Sequence, residues 1–516
     1  MARKTQSPRG NSRTAEVLEQ LRRYESRNVT YLDPDGTWPI VWERARGVHV
    51  WDAEGRRHLD LTAAFGVAAA GHANPAVVRA GRVQMARLLH AMGDVHPHAL
   101  KAALARELSR LTFERWTLGG VAGEDRRRPG GSNRSDAAGA SSFRSADDSR
   151  NRGLDEGAGI GLAELARGEP PGRRRSDSGR VAALGEGANS VALHGKTIFC
   201  NAGFEAVEAA LKTAQLATKR PGIIAFRGAY HGLGYGALNA THRGFFRDAF
   251  RQQLREFGNF VSFPTTEKEL RVTEREVAAA FQRGKIGAVL VEPVQARGGI
   301  QVPPPEFLPR LRKLCDRHGA LLIVDEIYTG FGRTGRWFAC EHSATVPDVI
   351  CLGKALTGGF PLSACVGRAD VMDAAWPASA GEAMHTSTFL GHPVGCAMAL
   401  AQIGEIERYK LPERAALMGR RALEALRELK FPDGLRGEAR GVGWMLGLEL
   451  RLVNGEPATA ASLAIIKALL HRGFILLPEG EHANVISFTP PLTLGWREFV
   501  TVVNALQTEL LRVSRA

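Results

Sequence analysis

The part of the chain that begins at residue 197 alternates short apolar runs with helical segments. The runs TIFC, GIIAF, GAVLV, LLIV, DVICLG and SACVG are separated by stretches such as EAVEAALKTAQLAT and FLPRLRKLCDRHG. Strands that are nearly continuous in Ile, Leu, Val and Ala need apolar cover on both faces, and helical crossovers supply it. The alternation therefore predicts an α/β fold built on a mostly parallel sheet.

The two ends of the chain follow other patterns. Near the N-terminus we expect a short helix around residues 15–24, a β-hairpin from GVHVWDAEGRRHLDLT, and a long helix that starts at Asn74-Pro75. From about His392 a long Ala-rich helix leads to the strands GWMLGLEL and VISFT and to amphipathic helices. The features of this C-terminal region predict a smaller α+β domain.

Residues 116–192 interrupt the pattern. Within them, residues 120–190 hold 14 Gly, nine Ser, 12 Arg and 11 acidic residues, but a single aromatic residue, Phe143. Such a segment buries too little apolar surface to offset the ordering of its backbone, which costs about 1–2 kcal/mol per residue. We therefore expect a disordered insertion.

Composition argues against several classes of protein. No apolar run approaches the roughly 18–20 residues of a membrane span, and no apolar core follows the basic N-terminus, so we expect a cytoplasmic protein without a membrane partner. The six cysteines lack metal-ligand spacing, which favours buried, reduced thiols and no metal site. The net charge of +14 raises nucleic acid as a partner. However, 56 of the 68 basic residues are Arg and no basic run is interleaved with aromatics, so we expect none.

Polar residues stand directly after the apolar runs. In an open parallel sheet, ligands bind beyond the carboxyl ends of the strands, so these residues are candidates for a site. They are Asn201-Ala202-Gly203-Phe204, Tyr230-His231, Glu292, Asp325-Glu326 and Lys354. Together they would bring a phosphate-type turn, an aromatic ring with a histidine, carboxylates and a lysine to one edge of the sheet.

This set matches the needs of pyridoxal 5′-phosphate. Its phosphate needs backbone N–H groups at a helix start, its aldehyde needs a lysine amine for a Schiff base, and its pyridine nitrogen needs a carboxylate. Lys354 follows a buried strand and precedes a small-residue turn, unlike the other eleven lysines. Each residue has an ordinary alternative: Asp325 as a helix N-cap, Tyr230 as a core side chain, His231 as a satisfied group beside a site. Their conjunction favours the cofactor.

Eight blocks of sequence resemble one family of enzymes. They are GVHVWDAEGRRHLDL, GHANP, FCNAGFEAVEAALKTA, FRGAYHG, LVEPVQARGG, LLIVDEIYTGFGRTG, PDVICLGKALTGGFPLSA and HTSTFLGHP. In this order they are similar to the class III pyridoxal-phosphate aminotransferases of the ornithine, acetylornithine and 4-aminobutyrate type. The resemblance runs from about residue 35 to the C-terminus and is interrupted by residues 116–192.

The resemblance implies the type I aminotransferase fold, with a mostly parallel seven-stranded sheet in a large domain and a small α+β domain from both chain ends. We accordingly divide the chain into residues 1–75 (N-terminal tail and small-domain segment), 76–400 (large cofactor-binding domain) and 401–516 (C-terminal small domain). Family members are dimers or larger assemblies with shared active sites, so a homodimer or a dimer of dimers is expected.

The resemblance also implies roles for single residues. Lys354 would be the Schiff-base lysine and the acid/base group, and Asp325 would pair with the pyridine nitrogen. The remaining assignments are backbone donors to the phosphate (Gly203, Phe204), a ring cover (Tyr230), a phosphate contact from the neighbouring subunit (Thr388), and residues near the substrate (Ser387, Glu292).

Three positions depart from the family pattern. Ala202-Gly203-Phe204 stands where Ser-Gly-Thr is common, so a hydroxyl contact to the phosphate is lost. Tyr328 replaces a glutamine and would lie near the 3′ oxygen of the cofactor. Ser487 replaces the arginine that grips a substrate carboxylate, and Arg297 or Arg333 would have to substitute for it.

These features together predict a transaminase that moves an amino group from an ω-amino acid or amine to an oxo acid by a ping-pong mechanism. One alternative is an epimerase or aminomutase with the same fold and cofactor. A more distant alternative is a catalytically retired scaffold that binds an acidic partner.

Overall fold

The computed structural model describes residues 12–33, 38–117 and 194–513. Almost all of the predicted insertion therefore lies outside the described residues. Its first described residue, Trp116, is buried and packs edge-on against Phe113 and Phe338. The ordered fold thus extends past the residue at which we expect the insertion to start.

The centre of the fold is a seven-stranded sheet in the order β4-β10-β9-β8-β7-β5-β6. β10 is antiparallel to both of its neighbours, and the other adjacent pairs are parallel. The strands are β4 (Gly195–Cys200), β5 (Gly222–Phe226), β6 (Gly258–Val261), β7 (Ile286–Val291), β8 (Leu321–Asp325), β9 (Val349–Leu352) and β10 (Ser363–Arg368). The expected mostly parallel sheet is confirmed. The edge strand β6 escaped prediction because its four residues, GNFV, contain no extended apolar run.

Helices cover both faces of this sheet and connect it to the chain ends. The longer helices are α1 (Arg13–Tyr24), α2 (Pro75–Arg87), α3 (Ala99–Ser109), α4 (Gly203–Thr218), α5 (Glu267–Arg283), α6 (Phe307–His318), α7 (Ala369–Ala375), α8 (Pro393–Arg408), α9 (Leu411–Arg427), α10 (Thr459–His471) and α11 (Trp496–Val513). Shorter helical turns span Ala63–Gly66, Arg115–Thr117, Tyr235–Leu238 and Gly244–Arg247. The predicted helix start at Pro75 is confirmed, because the side chain of Asn74 accepts the N–H groups of Ala76 and Val77.

Two four-stranded sheets flank the central one. The first has the order β1-β2-β3-β13, with β1 (Trp42–Arg46), β2 (His49–Asp52), β3 (Arg57–Asp60) and β13 (Phe474–Ile475). The second has the order β11-β12-β15-β14, with β11 (Leu435–Val442), β12 (Met445–Leu452), β14 (Leu477–Glu479) and β15 (Val485–Phe488). β2 and β3 form the predicted hairpin, and β13 pairs with β3 in parallel. Both chain ends therefore build the smaller part of the fold.

All six cysteines are buried and none forms a disulfide, as expected from their scattered positions. Of the helices in the described residues, none combines the length and the apolar character that crossing a bilayer requires.

Candidate active site

A cavity of about 620 Å³ opens at the carboxyl edge of the central sheet. This volume is typical of cofactor and small-molecule sites. Seven of the nine predicted site residues line it: Gly203, Phe204, Tyr230, Glu292, Asp325, Tyr328 and Lys354. They meet there because β4, β5, β7, β8 and β9 run in the same direction and end at the same edge.

The start of α4 offers backbone donors to the cavity. Ala202, at the N-cap, has no side-chain acceptor, and the carboxylate of Glu205 turns back to accept the N–H groups of Asn201 and Ala202. Among the described residues, no acceptor bonds the N–H groups of Gly203 and Phe204. A Cβ atom on Gly203 would lie 3.1 Å from the side chain of Ile327, so only glycine fits without displacing that neighbour. Free donors at the start of a long helix suit an anion.

Asp325, the last residue of β8, is held by two neighbours. Its Oδ1 accepts the N–H of Ile327 at 3.1 Å, and its Oδ2 lies 2.7 Å from Nδ1 of the buried His231. The sequence also allowed a role for Asp325 as a helix N-cap. Its side chain does accept a backbone N–H two residues further on, as a capping residue would, but it closes a turn. Each carboxylate oxygen has two lone pairs, so the group retains acceptor capacity towards the cavity.

Lys354 follows β9 and lies in a strained conformation. Its φ of 33° is in the left-handed region, where a residue with a side chain is disfavoured. Its Nζ lies 4.5 Å from the ring centroid of Tyr328. Burial lowers the pKa of this amine, while the charges of Asp325 and Glu292 act in the opposite direction. A lowered pKa leaves more of the amine neutral, which is the form that acts as nucleophile and base.

Tyr328 extends the wall of the cavity next to Lys354. Its hydroxyl lies 3.1 Å from Oγ1 of Thr489, and burial raises its pKa to about 12. The phenol therefore stays protonated at physiological pH.

Glu292, which directly follows β7, is buried and bonded to backbone. Its Oε1 accepts the N–H of Tyr230 at 2.9 Å, and its Oε2 accepts the N–H of Ala296 at 3.2 Å. Burial raises its pKa to about 7. The carboxylate thus fixes the loop that carries Tyr230 and the loop that leads to Arg297.

The arginine that the family pattern places at position 487 has no direct equivalent there. Ser487 is buried, and its hydroxyl donates to the carbonyl of Leu477 at 3.0 Å. Arg333 is buried and donates to the carbonyls of Trp444 and Pro490, away from the cavity lining. Arg297, in contrast, lines the cavity. Of the two arginines considered from sequence, Arg297 is therefore the one whose side chain reaches the cavity.

Ser387 and Thr388 do not join the other predicted residues. Both are exposed, and neither lines the cavity of its own chain. Their expected action on a neighbouring subunit stays a prediction.

Comparison with known proteins identifies the family. The family model described as aminotransferase class III matches residues 31–122 and 178–510. The chain belongs to the class III aminotransferases. A 5-aminovalerate aminotransferase of Pseudomonas aeruginosa is 32% identical over 466 residues, which cover 88% of this chain and 90% of that protein.

Solved structures of transaminases share the fold over nearly the whole chain. An amine transaminase from an uncultivated Pseudomonas species, in its PLP-bound form, superposes with a TM-score of 0.73 at 25% identity, covering 95% of this chain and 98% of that one. An (S)-enantioselective omega-transaminase from Thermomicrobium roseum gives a TM-score of 0.74 at 25% identity, with 98% and 100% covered. These likenesses confirm the expected type I aminotransferase fold and the expected transaminase class.

Class III aminotransferases use pyridoxal phosphate, and the cavity fits this group. The unbonded N–H groups of Gly203 and Phe204 suit its phosphate, and the buried amine of Lys354 suits its aldehyde. The free acceptor capacity of Asp325 suits its ring nitrogen.

Sequence reasoning missed several residues at or beside the cavity, among them Phe65, Phe246 and Glu479. Phe65 lines the cavity from a turn in which residues 63–66 all have positive φ. Three of these four residues are not glycine, so the sequence does not indicate this conformation. Phe246 lines it from a short helical turn. Glu479 is buried beside Arg297. Glu479 directly follows the apolar run GFILLP. A search for polar residues after apolar runs would therefore have found Glu479 if the search had included the C-terminal region.

Proposed function

We propose that this cavity is the active site and that Lys354 is the residue that holds pyridoxal phosphate covalently, through its Nζ. The observation that carries the proposal is the presence of one buried lysine, one strand-end carboxylate and a helix start with free N–H groups around a single cavity. Each of these groups alone is common in proteins. Their convergence on one cofactor-sized space is not.

The surrounding residues would hold the cofactor in a fixed orientation. Gly203 and Phe204 donate backbone N–H groups to the phosphate, and Asp325 accepts from the protonated ring nitrogen. His231 and the N–H of Ile327 fix the Asp325 carboxylate from two directions, which limits its rotation. Tyr230 covers the ring, and its backbone is held by Glu292.

When bound, pyridoxal phosphate supplies an electron sink for the pair left behind as the substrate C–H bond breaks. Lys354 would take up the proton from that carbon on its neutral Nζ and hold it for return. Burial favours this role because it lowers the pKa of the amine. Phe65, Phe246 and Ile327 add apolar side chains to the walls around these atoms.

The amino donor is proposed to be an ω-amino acid or a related amine. The support is the 32% identity over most of the chain to a 5-aminovalerate aminotransferase. An oxo acid completes the second half of the ping-pong cycle by accepting the amino group.

Substitution of Lys354 tests the assignment. Borohydride treatment of the holoenzyme should fix the cofactor to the wild-type chain but not to Lys354→Ala, and the variant should lose transamination of 5-aminovalerate. Lys313→Ala, which changes an exposed lysine of α6, is the matched control and should behave as wild type. A covalent adduct retained by Lys354→Ala would overturn the assignment. Turnover of one enantiomer without an oxo acid would instead favour an epimerase or aminomutase.

We infer that the protein acts as a homodimer. Exposed apolar side chains gather in residues 83–95, among them Leu89 and Met92, and again at Phe389. The two segments contact each other, since the rings of His90 and Phe389 lie 5.4 Å apart. Ser387 and Thr388 are exposed and directly precede Phe389, so burial of this surface against a second copy would place both residues in the interface.

Light scattering tests the dimer. The wild-type chain should have twice the monomer mass, and Leu89→Glu should lower it and weaken cofactor retention because Thr388 is withdrawn. A monomeric wild-type chain with full activity would refute the proposal.

A cytoplasmic location is also proposed. The six buried, unpaired cysteines suit a reducing compartment. Cell fractionation with an antibody against the protein would test it, and recovery outside the cytoplasmic fraction would refute it.

A further inference from the structure

Arg297 and Glu479 form an ion pair that lacks a hydrogen bond. Nε of Arg297 lies 3.7 Å from Oε2 of Glu479, beyond hydrogen-bond distance. Both atoms are buried, and neither has a hydrogen-bond partner among the described residues. Glu479 is 4% exposed, whereas the side chain of Arg297 keeps about a third of its surface open and lines the cavity. The guanidinium is therefore neutralised but retains donors that face the space where substrate would lie.

The backbone around Arg297 is fixed on both sides. The N–H of Ala296 donates to Glu292, and the carbonyl of Arg297 accepts the N–H of Gly480 at 3.2 Å. The carbon at the centre of the guanidinium lies 5.7 Å from the ring centroid of Tyr230, which holds the group over an aromatic face. The arginine is thus pre-organised, and an anionic ligand would not have to order it.

The pairing of β14 with β15 places Glu479 and Ser487 relative to each other. Ser487 pairs with Leu477, and Val485 pairs with Glu479, in an antiparallel register. Directly paired residues point to the same face, and so do residues two apart along a strand. Ser487 and Glu479 therefore share one face. In the family pattern this face carries the carboxylate-binding arginine, at position 487. In this chain the same face carries the carboxylate of Glu479, and the positive charge is on Arg297, with which Glu479 forms the ion pair.

We propose that Arg297 binds the carboxylate of an ω-amino acid donor, and that Glu479 is the alternative partner of its guanidinium when a donor has no carboxylate. The inference rests on the proposed function and deepens it by naming the group that recognises the substrate. A guanidinium makes bidentate hydrogen bonds to a carboxylate, which the 3.7 Å contact with Glu479 does not satisfy.

Glu479 allows one cavity to accept both kinds of donor. Arg243 also faces Glu479, but it donates to the carbonyls of Gly480 and Glu481 and is engaged there. Without a substrate carboxylate, Glu479 keeps Arg297 from being an uncompensated charge in a partly desolvated site. When the donor has a carboxylate, that group forms the shorter contacts with Arg297 and displaces Glu479 from the guanidinium.

Two matched donors and one inert probe test the proposal on the holoenzyme. 5-Aminovalerate and pentylamine differ by the carboxylate, and pentanoate has the carboxylate but no amine to react. In Arg297→Leu the ratio of kcat/KM for 5-aminovalerate over pentylamine should fall on the order of 100-fold, chiefly through KM. The Kd of pentanoate, measured by titration calorimetry, should rise by a similar factor.

Two further variants separate charge from geometry. Arg297→Lys keeps the charge but loses the planar fork, so the donor ratio should fall by about tenfold. Arg251→Leu removes the same charge from an exposed position, where Arg251 contacts Asp248 and Glu256, and should leave the ratio and the pentanoate Kd unchanged.

An unchanged donor ratio in Arg297→Leu, or an equal loss with both donors, would overturn the proposal. An unchanged Kd of pentanoate would do the same. If the wild-type holoenzyme turned over neither donor while pentanoate binding still depended on Arg297, the proposed function would fail and the carboxylate site would stand.

Discussion

Nδ1 of His231 lies 2.7 Å from Oδ2 of Asp325, and both side chains are buried at the floor of the cavity. The contact joins the turn after β5 to the end of β8, two elements separated by 94 residues. A carboxylate held in this way keeps one orientation towards a bound ring nitrogen.

Replacement of His231 should therefore weaken cofactor binding. A hydrogen bond to a charged group contributes about 1.5–3 kcal/mol, so His231→Leu should raise the Kd of pyridoxal phosphate on the order of 10- to 100-fold. His231→Asn retains a donor and should recover part of the affinity. Absorbance titration of the apoenzyme measures both values. Wild-type affinity in His231→Leu would show that Asp325 needs no orienting partner.

The Tyr328–Thr489 contact predicts an asymmetry between two conservative variants. The hydroxyl of Thr489 also donates to the carbonyl of Thr62, so in Tyr328→Phe it keeps a partner, and the free energy of unfolding should fall by about 1 kcal/mol. Thr489→Val leaves the Tyr328 hydroxyl unpaired and should cost about 1–3 kcal/mol. Chemical denaturation of the apoenzyme measures both losses. A larger loss in Tyr328→Phe would contradict this assignment of donors.

Binding of a carboxylate should become tighter as the pH falls through about 7. Burial raises the pKa of Glu479 to about 7, and the negative charge of Glu292 acts in the same direction. The positive charges of Arg297, Arg243 and Lys354 act against this rise. Protonated Glu479 no longer competes for Arg297, so binding takes up a proton and the Kd of pentanoate should decrease from about pH 8 to about pH 6. Pentanoate itself stays ionised in this range.

Glu479→Gln supplies the control for this pH dependence. The variant should bind pentanoate with a Kd that varies little with pH, because the competing charge is absent at every pH. The same dependence in wild type and variant would assign the titration to another group.

Arg333 should affect stability rather than substrate choice. Its guanidinium satisfies the buried carbonyls of Trp444 and Pro490, and Arg333→Met leaves them without that donor. The free energy of unfolding should fall by about 2–4 kcal/mol, while the ratio of kcat/KM for 5-aminovalerate over pentylamine stays at the wild-type value. Denaturation and the donor assay together check it. A changed ratio in a stable variant would mean that Arg333 also contacts substrate.

Much of the architecture follows from local sequence. The apolar runs of β5, β7, β8 and β9 predict buried parallel strands because such runs are stable only with cover on both faces. The position just after each run then marks the sheet edge, which is why Lys354, Asp325 and Glu292 were predicted correctly to lie near one another. The short strand β6 carries no such signal, and it is defined by its hydrogen bonds to β5.

Other features depend on contacts between residues far apart in the chain, and these only the tertiary structure decides. Sequence shows that position 487 lacks its arginine, but not which other arginine faces the cavity. Arg297 does so, and Arg333 does not, because backbone carbonyls from two distant segments surround the latter. The position of Glu479 beside Arg297 likewise follows from the pairing of β14 with β15. Local pattern thus determined the α/β sheet and the edge at which the polar residues gather, and the resemblance of eight sequence blocks indicated the family. Charge compensation inside the cavity is set by long-range packing, which no local pattern encodes.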